Sequence, residues 1–439
     1  MLAFLLELTS WARTGHVYLF ALFMLMIWLL WAIRISLARH YRPCQANWST
    51  TAAVIIPVVD EPLDLFRTVL DRIVAQRPTE TVVVINGPRN EDIEALCGEL
   101  GVGWVWTEVP GKRNAIRTGL EHTSGEVAVL VDSDTVWTGS TLRELLKPFS
   151  DPQVGGVTTR QRILDPGRSV LTRWADWLEN IRNEYSMPAM SVLGTVGCLP
   201  GRTIAFRRSI LLGCMEKFLS ERFLGVFLEV SDDRTLTNYT LKAGYQTVYQ
   251  STALVYTDAP VKVATLLRQQ YRWARGSQYN TLRMLPWMLR NAPVLALFYT
   301  ADIVAPFVLV SAVASWIVAL AAGSKAAIYD QLPLPEQPAR ALALVLALSL
   351  TMTMFSLAVR FGHHFAYRPG DLLYLPAFMV INTAMLMPVR VAGFFRMAHN
   401  SGWGTRANAF AGERTRNPLV AIPYLLGMCL LAVSVLISV

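Results

Sequence analysis

The chain has 439 residues, of which 53% are hydrophobic and only 16% charged, against roughly 25% charged in an ordinary soluble domain. That balance excludes a plain soluble enzyme and marks a membrane protein. Forty basic and thirty-two acidic residues leave a net charge of +8. This excess flanks apolar segments as the positive-inside rule requires, so it is membrane-side charge and not a nucleic-acid footprint.

Residues Val17 to Ile33 are uncharged and are followed by Arg34, Arg39 and Arg42, which predicts a spanning helix with a cytoplasmic C-terminal end. No stretch between about 48 and 260 is apolar enough to span, so a soluble domain is inserted there. Apolar segments return at Ala292–Gly323, Ala341–Val359, Leu372–Val389 and Leu419–Val439. Leu372–Val389 holds Pro376, Asn382 and Pro388, and arginines follow it. It is expected to lie in the interface or re-enter, leaving four spanning helices, with five as the alternative. The five cysteines (Cys44, Cys97, Cys198, Cys214, Cys429) have no paired spacing and support neither a zinc site nor a disulfide framework.

Within the soluble domain, Ala52–Pro57 reads as a strand and Leu63–Gln76 as a helix, then Thr81–Gly87 as a strand and Glu91–Leu100 as a helix. Val102–Thr107, Lys112–His122 and Val127–Val131 continue the alternation of strand and helix. Such alternation predicts an α/β domain with a mostly parallel sheet covered on both faces. Neither a G-x-x-x-x-G-K-[ST] loop nor a G-x-G-x-x-G after the first strand is present, which leaves ATP and NAD poorly supported.

The run Val127–Val131 ends in Asp132-Ser-Asp134. In extended geometry both carboxylates face one side of the strand's C-terminal end, the edge where open α/β sheets hold ligands. Two such carboxylates suit Mg2+ or Mn2+ carrying diphosphate oxygens; the plainer reading is an acidic turn. Lys112 and Arg113, at a helix start, suit a diphosphate held by charge and backbone amides, or are simply a solvated basic turn. Ser231-Asp-Asp-Arg234 opens a helix with Ser231 as its N-cap. Asp232 and Asp233 either complement the helix dipole or supply a general base tuned or oriented by Arg234. Gln269, Arg272 and Trp273 share one face of an amphipathic helix, suited to a sugar nucleotide, to the membrane interface or to both.

Taken together, Asp132-Ser-Asp134, Ser231–Asn238, Gln-Gln-Tyr-Arg-Trp (269–273) and Trp-Gly-Thr-Arg (403–406) resemble the processive family 2 glycosyltransferases, especially the hyaluronan synthases and their chitin and cellulose synthase relatives. The resemblance implies a GT-A-type nucleotide-sugar-binding domain between transmembrane and interfacial helices. It divides the chain into 1–47 (transmembrane helix and cytoplasmic linker), 48–260 (cytoplasmic catalytic domain), 261–291 (interfacial helices) and 292–439. The last part is a channel region with interfacial segment 371–395 and cytoplasmic loop 396–417.

The activity implied is inverting transfer from UDP-sugar donors to a growing polysaccharide that is extruded across the plasma membrane. The implied partners are therefore UDP-sugars, the polymer and the lipid bilayer, with no nucleic acid. Other implied outcomes are a chitin-like, cellulose-like or glucose–glucuronate polymer, or one sugar added to a lipid; a nucleotide-binding transporter is the remote rival. By position, Asp132 and Asp134 would hold the metal, Mg2+ or Mn2+, and with Ser133 the nucleotide. Pro57, Asp60, Glu61 and Asn86 would line the uridine, and Lys112, Gln269, Arg272, Trp273, Trp403 and Arg406 would bind the donor. Asp233 would be the base beside Asp232 and Arg234, while Cys198, Leu199, Pro200, Gly201 and Trp273 would meet the acceptor. Ser231 stands where hyaluronan synthases usually have Gly, and Ile85-Asn86 where many relatives carry an acid; both departures bear on specificity.

Overall fold

In the computed structural model, which describes residues 19–321, 335–399 and 417–438, the strand-like runs of the inserted domain assemble into one eight-stranded sheet. β1 (Ala52–Val58) lies between β2 (Glu80–Asn86) and β4 (Val127–Val131), parallel to both, and β3 (Gly103–Thr107) adds to β2 in the same direction. Ala53, Val54, Ile55 and Ile56 are 0% exposed. Burying each such branched side chain stabilises the fold by about 1.5–3 kcal/mol. Parallel neighbours require crossovers, supplied by α2 (Leu63–Val74), α3 (Glu91–Glu99) and α4 (Lys112–Glu121), downstream of α1 (Leu19–Ala38).

The remaining strands make the sheet mixed. β5 (Thr135–Trp137) runs antiparallel to β10 (Gln246–Thr257), which is parallel to β6 (Val154–Ile163). β7 (Thr203–Arg207) runs antiparallel to both β4 and β6. The C-terminal ends of β1, β2 and β4 and the N-terminal end of β7 therefore meet at one sheet edge. A second, two-stranded sheet pairs β8 (Arg222–Phe223) with β9 (Val226–Phe227). Around these lie α5 (Thr141–Leu146), α6 (Val170–Ile181), α7 (Met187–Val192), α8 (Arg208–Leu219), α9 (Asp232–Lys242) and the 29-residue α10 (Val263–Asn291).

The described residues group into two compact units, Arg34–Leu295 with Ala398–Pro418, and Met1–Ile33 with Ala296–Met397 and Leu419–Val439. In the first, the linker after α1 is fastened to the sheet: Tyr41 donates its hydroxyl to Tyr249 O at 2.8 Å and accepts from Ser251 N at 3.0 Å. The second contains α11 (Pro293–Ala321), α12 (Pro338–Arg360), α13 (Gly362–Tyr367), α14 (Leu375–Val380), α15 (Met387–Phe395) and α16 (Ala421–Ser438). Phe23 and Met24 of α1 pack there on Ala305, Val308 and Ala312 of α11.

Among the described residues, four helices are long and apolar enough to cross a membrane: Leu19–Ala38, Pro293–Val318, Ala339–Arg360 and Pro369–Phe395. Three of these coincide with expected spans; Pro369–Phe395, expected to lie in the interface or re-enter, also qualifies by length and composition, and a further apolar helix follows at Ala421–Ser438. Within this run the helix changes type near each proline: a 3-10 turn at Pro369–Tyr374 precedes Pro376, and a π-helical turn at Ile381–Leu386 precedes Pro388.

Candidate active site

β4 ends at Val131, and Asp132, Ser133 and Asp134 form a turn leading to β5. Strand alternation is therefore not what gathers the two carboxylates, contrary to the extended geometry expected. Thr135 N–H closes the turn on Asp132 O at 3.0 Å, and Asp132 N–H donates to Arg202 O at 3.0 Å, which ties the turn to the start of β7. Lys112, the first residue of α4, pairs with Asp132 Oδ1. Gly119 gives α4 its close seat on β1, since a Cβ there would overlap the Ile55 side chain. Ser133 Oγ donates to Glu61 Oε1 at 2.9 Å.

Burial, then the charges of Asp132 and Glu61, push the Asp134 carboxyl up to about 6, against the opposing pull of Arg202 and Lys112. Burial draws the Lys112 ammonium down, yet Asp132, Asp232 and Asp233 outweigh it and leave its pKa above the ordinary lysine value. The site thus holds surplus negative charge on hard oxygen donors. Among the described residues no three ligand-type side chains form a cage. The surplus negative charge fits Mg2+ or Mn2+ on Asp132 and Asp134, since such ions take hard oxygen donors.

Across from this turn, Asp233 lies in the first turn of α9. Its Oδ1 accepts Arg234 N–H at 2.7 Å, and its Oδ2 accepts Gly201 N–H at 3.2 Å, with Cys198 Sγ 3.9 Å away. Burial raises the Asp233 pKa despite the nearby Lys112 charge. Burial and then the Asp233 charge push the Cys198 thiol up to about 12. The point where a Cβ would stand on Gly201 is 3.4 Å from Lys112 Nζ, 3.5 Å from Asp233 Cβ and 3.9 Å from Asp132 Oδ2. The Cys198–Gly201 loop, the base candidate and the metal candidates therefore converge on one small space.

Several side chains act differently from their sequence reading. Ser231 is at the N-cap position but makes no capping bond; it adopts φ 70°, ψ 62°, the left-handed region that glycine favours. The departure from Gly at this position is thus a backbone matter, accommodated because Gly276 of α10 leaves room: a Cβ on Gly276 would stand 2.6 Å from Ser231 Cβ. Arg234 meets Asp233 through its backbone N–H, while its guanidinium donates to Ser277 Oγ at 2.5 Å and Thr281 Oγ1 at 2.7 Å. Asp232 is buried on Arg113 Nε at 2.8 Å. Arg113 consequently faces inward, to Asp232 and Glu221, and does not stand beside Lys112 at Asp132.

Pro57 lies in β1, Asn86 ends β2 and is buried, and Asp60 and Glu61 form the turn after β1, all at the same sheet edge. Leu199 is buried, its N–H donating to Thr237 Oγ1 at 3.1 Å, and Pro200 O accepts from Gln161 Nε2 at 3.3 Å. Gln269, Arg272 and Trp273 share a face of α10, with Trp273 36% exposed, just upstream of the residues that grip α9. Trp403 and Arg406 lie outside the described residues; Arg275 hydrogen-bonds His399 O, a few residues upstream of Trp403. The sequence reading missed Arg202 as a partner of this edge, where it donates to Gln161 Oε1 at 2.7 Å and Glu179 Oε1 at 2.6 Å; its signal was its place directly after Gly201.

Residues 50–276 match the family model described as Glycosyltransferase like family 2. The chain belongs to that family. This glycosyltransferase is 26% identical over 392 residues to a hyaluronan synthase of Streptococcus pyogenes serotype M3, covering 85% of the chain and 88% of the relative. It is 31% identical over 261 residues to an N-acetylglucosaminyltransferase of Rhizobium sp. (strain N33), covering 57% of each. Among solved structures it resembles the mannosyltransferase PcManGT of Pyrobaculum calidifontis, in complex with GDP-Man and Mn2+, with a TM-score of 0.57 at 20% identity over 86% of this chain and 98% of that one. At that identity the likeness is one of fold. The expected GT-A-type α/β fold and the hyaluronan synthase-like grouping hold, and the glycosyltransferase is a hexosyltransferase and a membrane protein.

Proposed function

We propose that this glycosyltransferase takes sugar from UDP-sugar donors and adds it, with inversion and processively, to a growing hyaluronan-like polysaccharide that it extrudes across the plasma membrane. The catalytic domain is cytoplasmic, and the apolar helices hold the enzyme in the bilayer and pass the polymer outward. The observation that carries this reading is the Asp233 carboxylate, oriented by Gly201 N–H and Arg234 N–H at the space it shares with Lys112 and Asp132.

In this reading Pro57, Asp60, Glu61, Asn86 and Ser133 seat the nucleoside, and Lys112 with Arg272 meets the diphosphate. Gln269, Trp273, Trp403 and Arg406 close on the donor, while Trp273 and the Cys198–Gly201 loop hold the acceptor end. Asp233 takes the proton of the acceptor hydroxyl as that oxygen bonds to the anomeric carbon and the bond to UDP breaks. A single displacement inverts the centre and needs no covalent nucleophile. Asp132 and Asp134 would hold a divalent cation, which when bound would supply charge neutralisation at the leaving diphosphate.

The 31% identity to an N-acetylglucosaminyltransferase favours one second reading, a homopolymer or short oligosaccharide of N-acetylglucosamine. UDP release by the purified protein with Mg2+ or Mn2+ separates the two, with UDP-GlcNAc, UDP-GlcA and UDP-Glc offered singly and in pairs and product size read on a gel. Long polymer only with UDP-GlcNAc and UDP-GlcA together is expected. Turnover with UDP-GlcNAc alone selects the second reading, and no UDP release from any donor overturns both.

A further inference from the structure

We propose that Glu221 is a positioning residue for the transfer step, a buried carboxylate that sets Asp233 relative to the Lys112–Asp132 side of the site; this rests on Asp233 being the base. Glu221 follows α8 and is 2% exposed. Its Oε2 accepts Arg113 Nη2 at 2.8 Å and Thr235 Oγ1 at 2.9 Å, with Tyr279 OH 3.4 Å away, and its Oε1 pairs with Arg283 of α10. One carboxylate therefore joins α4, α9 and α10 at the end of α8.

The same arginine reaches the base loop. Arg113 Nε donates to Asp232 Oδ1 at 2.8 Å and Nη1 to Phe218 O at 2.5 Å, while Tyr279 OH donates to Val230 O at 2.7 Å. Residues 230–232 are thus clamped directly before Asp233. Two carboxylates, Glu221 and Asp232, face two guanidinia, Arg113 and Arg283, so the network is neutral and resists loss of any member. Lys112 and Arg113 are adjacent in α4, one paired with Asp132 and the other with Asp232. The first turn of α4 therefore fixes the spacing between the diphosphate side and the base, and Glu221 fixes that turn. A network serving stability alone would need no link to both sides. A shift of the base by about 1 Å costs about 100-fold in rate.

The test is steady-state UDP release and UDP binding by full-length protein in detergent, for Glu221→Gln, Glu221→Asp, Arg283→Gln and Asp233→Asn. Glu221→Gln is expected to lower kcat about 100-fold with donor KM and UDP affinity within about twofold, and Glu221→Asp to recover about tenfold. A Glu221→Gln protein that binds UDP normally and keeps its kcat overturns the proposal, as does an equal loss of kcat and UDP affinity in a folded variant. If Glu221→Gln does not fold, Arg283→Gln decides: about tenfold lower kcat at unchanged KM supports the clamp, and an unchanged kcat overturns it. Asp233→Asn separates this from the parent reading. If Asp233→Asn keeps its kcat, the base assignment fails and the positioning role with it; if its kcat falls while that of Glu221→Gln stays unchanged, only the positioning role fails.

Discussion

The two sides of the site are built from opposite materials. On the proposed donor side, Asp60, Glu61, Asn86 and Asp132 are carried to the sheet edge by β1, β2 and β4, whose interior is mainly valine, isoleucine and alanine. On the side of the proposed base, residues 230–238 are held by polar side chains distant in sequence: Arg113 meets Asp232 across 119 positions and Glu221 across 108, and Arg234 meets Thr281 across 47. Apolar burial is non-directional and tolerates small changes of shape. Hydrogen-bonded charge is directional, and a member that loses its partner costs about 3–5 kcal/mol. One side should therefore respond to mutation mainly through stability, and the other mainly through rate.

Asp233→Asn should produce the largest effect and break the comparison if it does not: about 100- to 10,000-fold lower kcat, the range expected for a general base, with UDP affinity unchanged. Loss of both kcat and UDP binding would show that Asp233 belongs to the donor side. Ile55→Ala, in the fully buried centre of β1, should cost about 2–5 kcal/mol of stability while the protein that remains folded keeps its kcat. Thermal unfolding alongside UDP release measures both, and a selective fall in kcat would erase the distinction between the sides.

The pH dependence sharpens the contrast. Burial raises the Asp233 pKa, and the base works only when unprotonated. Activity should therefore be lost as pH falls through a value above the ordinary aspartate pKa of about 3.9. A kcat profile that stays flat down to that ordinary value would contradict the assignment. The smallest effect belongs to Ser231→Gly, which removes a left-handed serine and should raise stability by about 1 kcal/mol, seen as a modest rise in Tm; a fall would mean that the contact of Ser231 Oγ with Asp233 Oδ1, at 3.4 Å, outweighs backbone relief.

This contrast also explains how much the sequence disclosed. Val127–Val131 was legible to the residue, and Lys112–His122 to within one residue of α4, because hydropathy period and helix signals are local. The mixed character of the sheet was less legible, since the antiparallel pairing of β7 with β4 and β6 depends on chain reversals that periodicity does not encode. At the site, Asp132, Asp134, Lys112 and Asp233 stood out in the sequence as candidates, whereas their geometry could not be read there. The turn at Asp132–Asp134 replaced a strand, and Arg113, Asp232 and Arg234 turned inward to partners that leave no local pattern. Glu221 stands in Leu219-Ser-Glu-Arg-Phe223, which has no motif, and only the folded chain gives it neighbours.

The contact between Ser231 and Gly276 carries an evolutionary consequence. With a side chain at 231, a Cβ at 276 would meet Ser231 Cβ at 2.6 Å and Val230 Cγ1 at 3.1 Å, so the two positions share a single allotment of volume. Among natural relatives that keep this packing, drift at one should be conditional on the other: residues larger than glycine at 276 should occur where 231 is glycine, and 276 should stay glycine in lineages that carry serine at 231. An alignment in which both positions vary freely would mean that α9 and α10 have changed their distance, and with it the setting of the base.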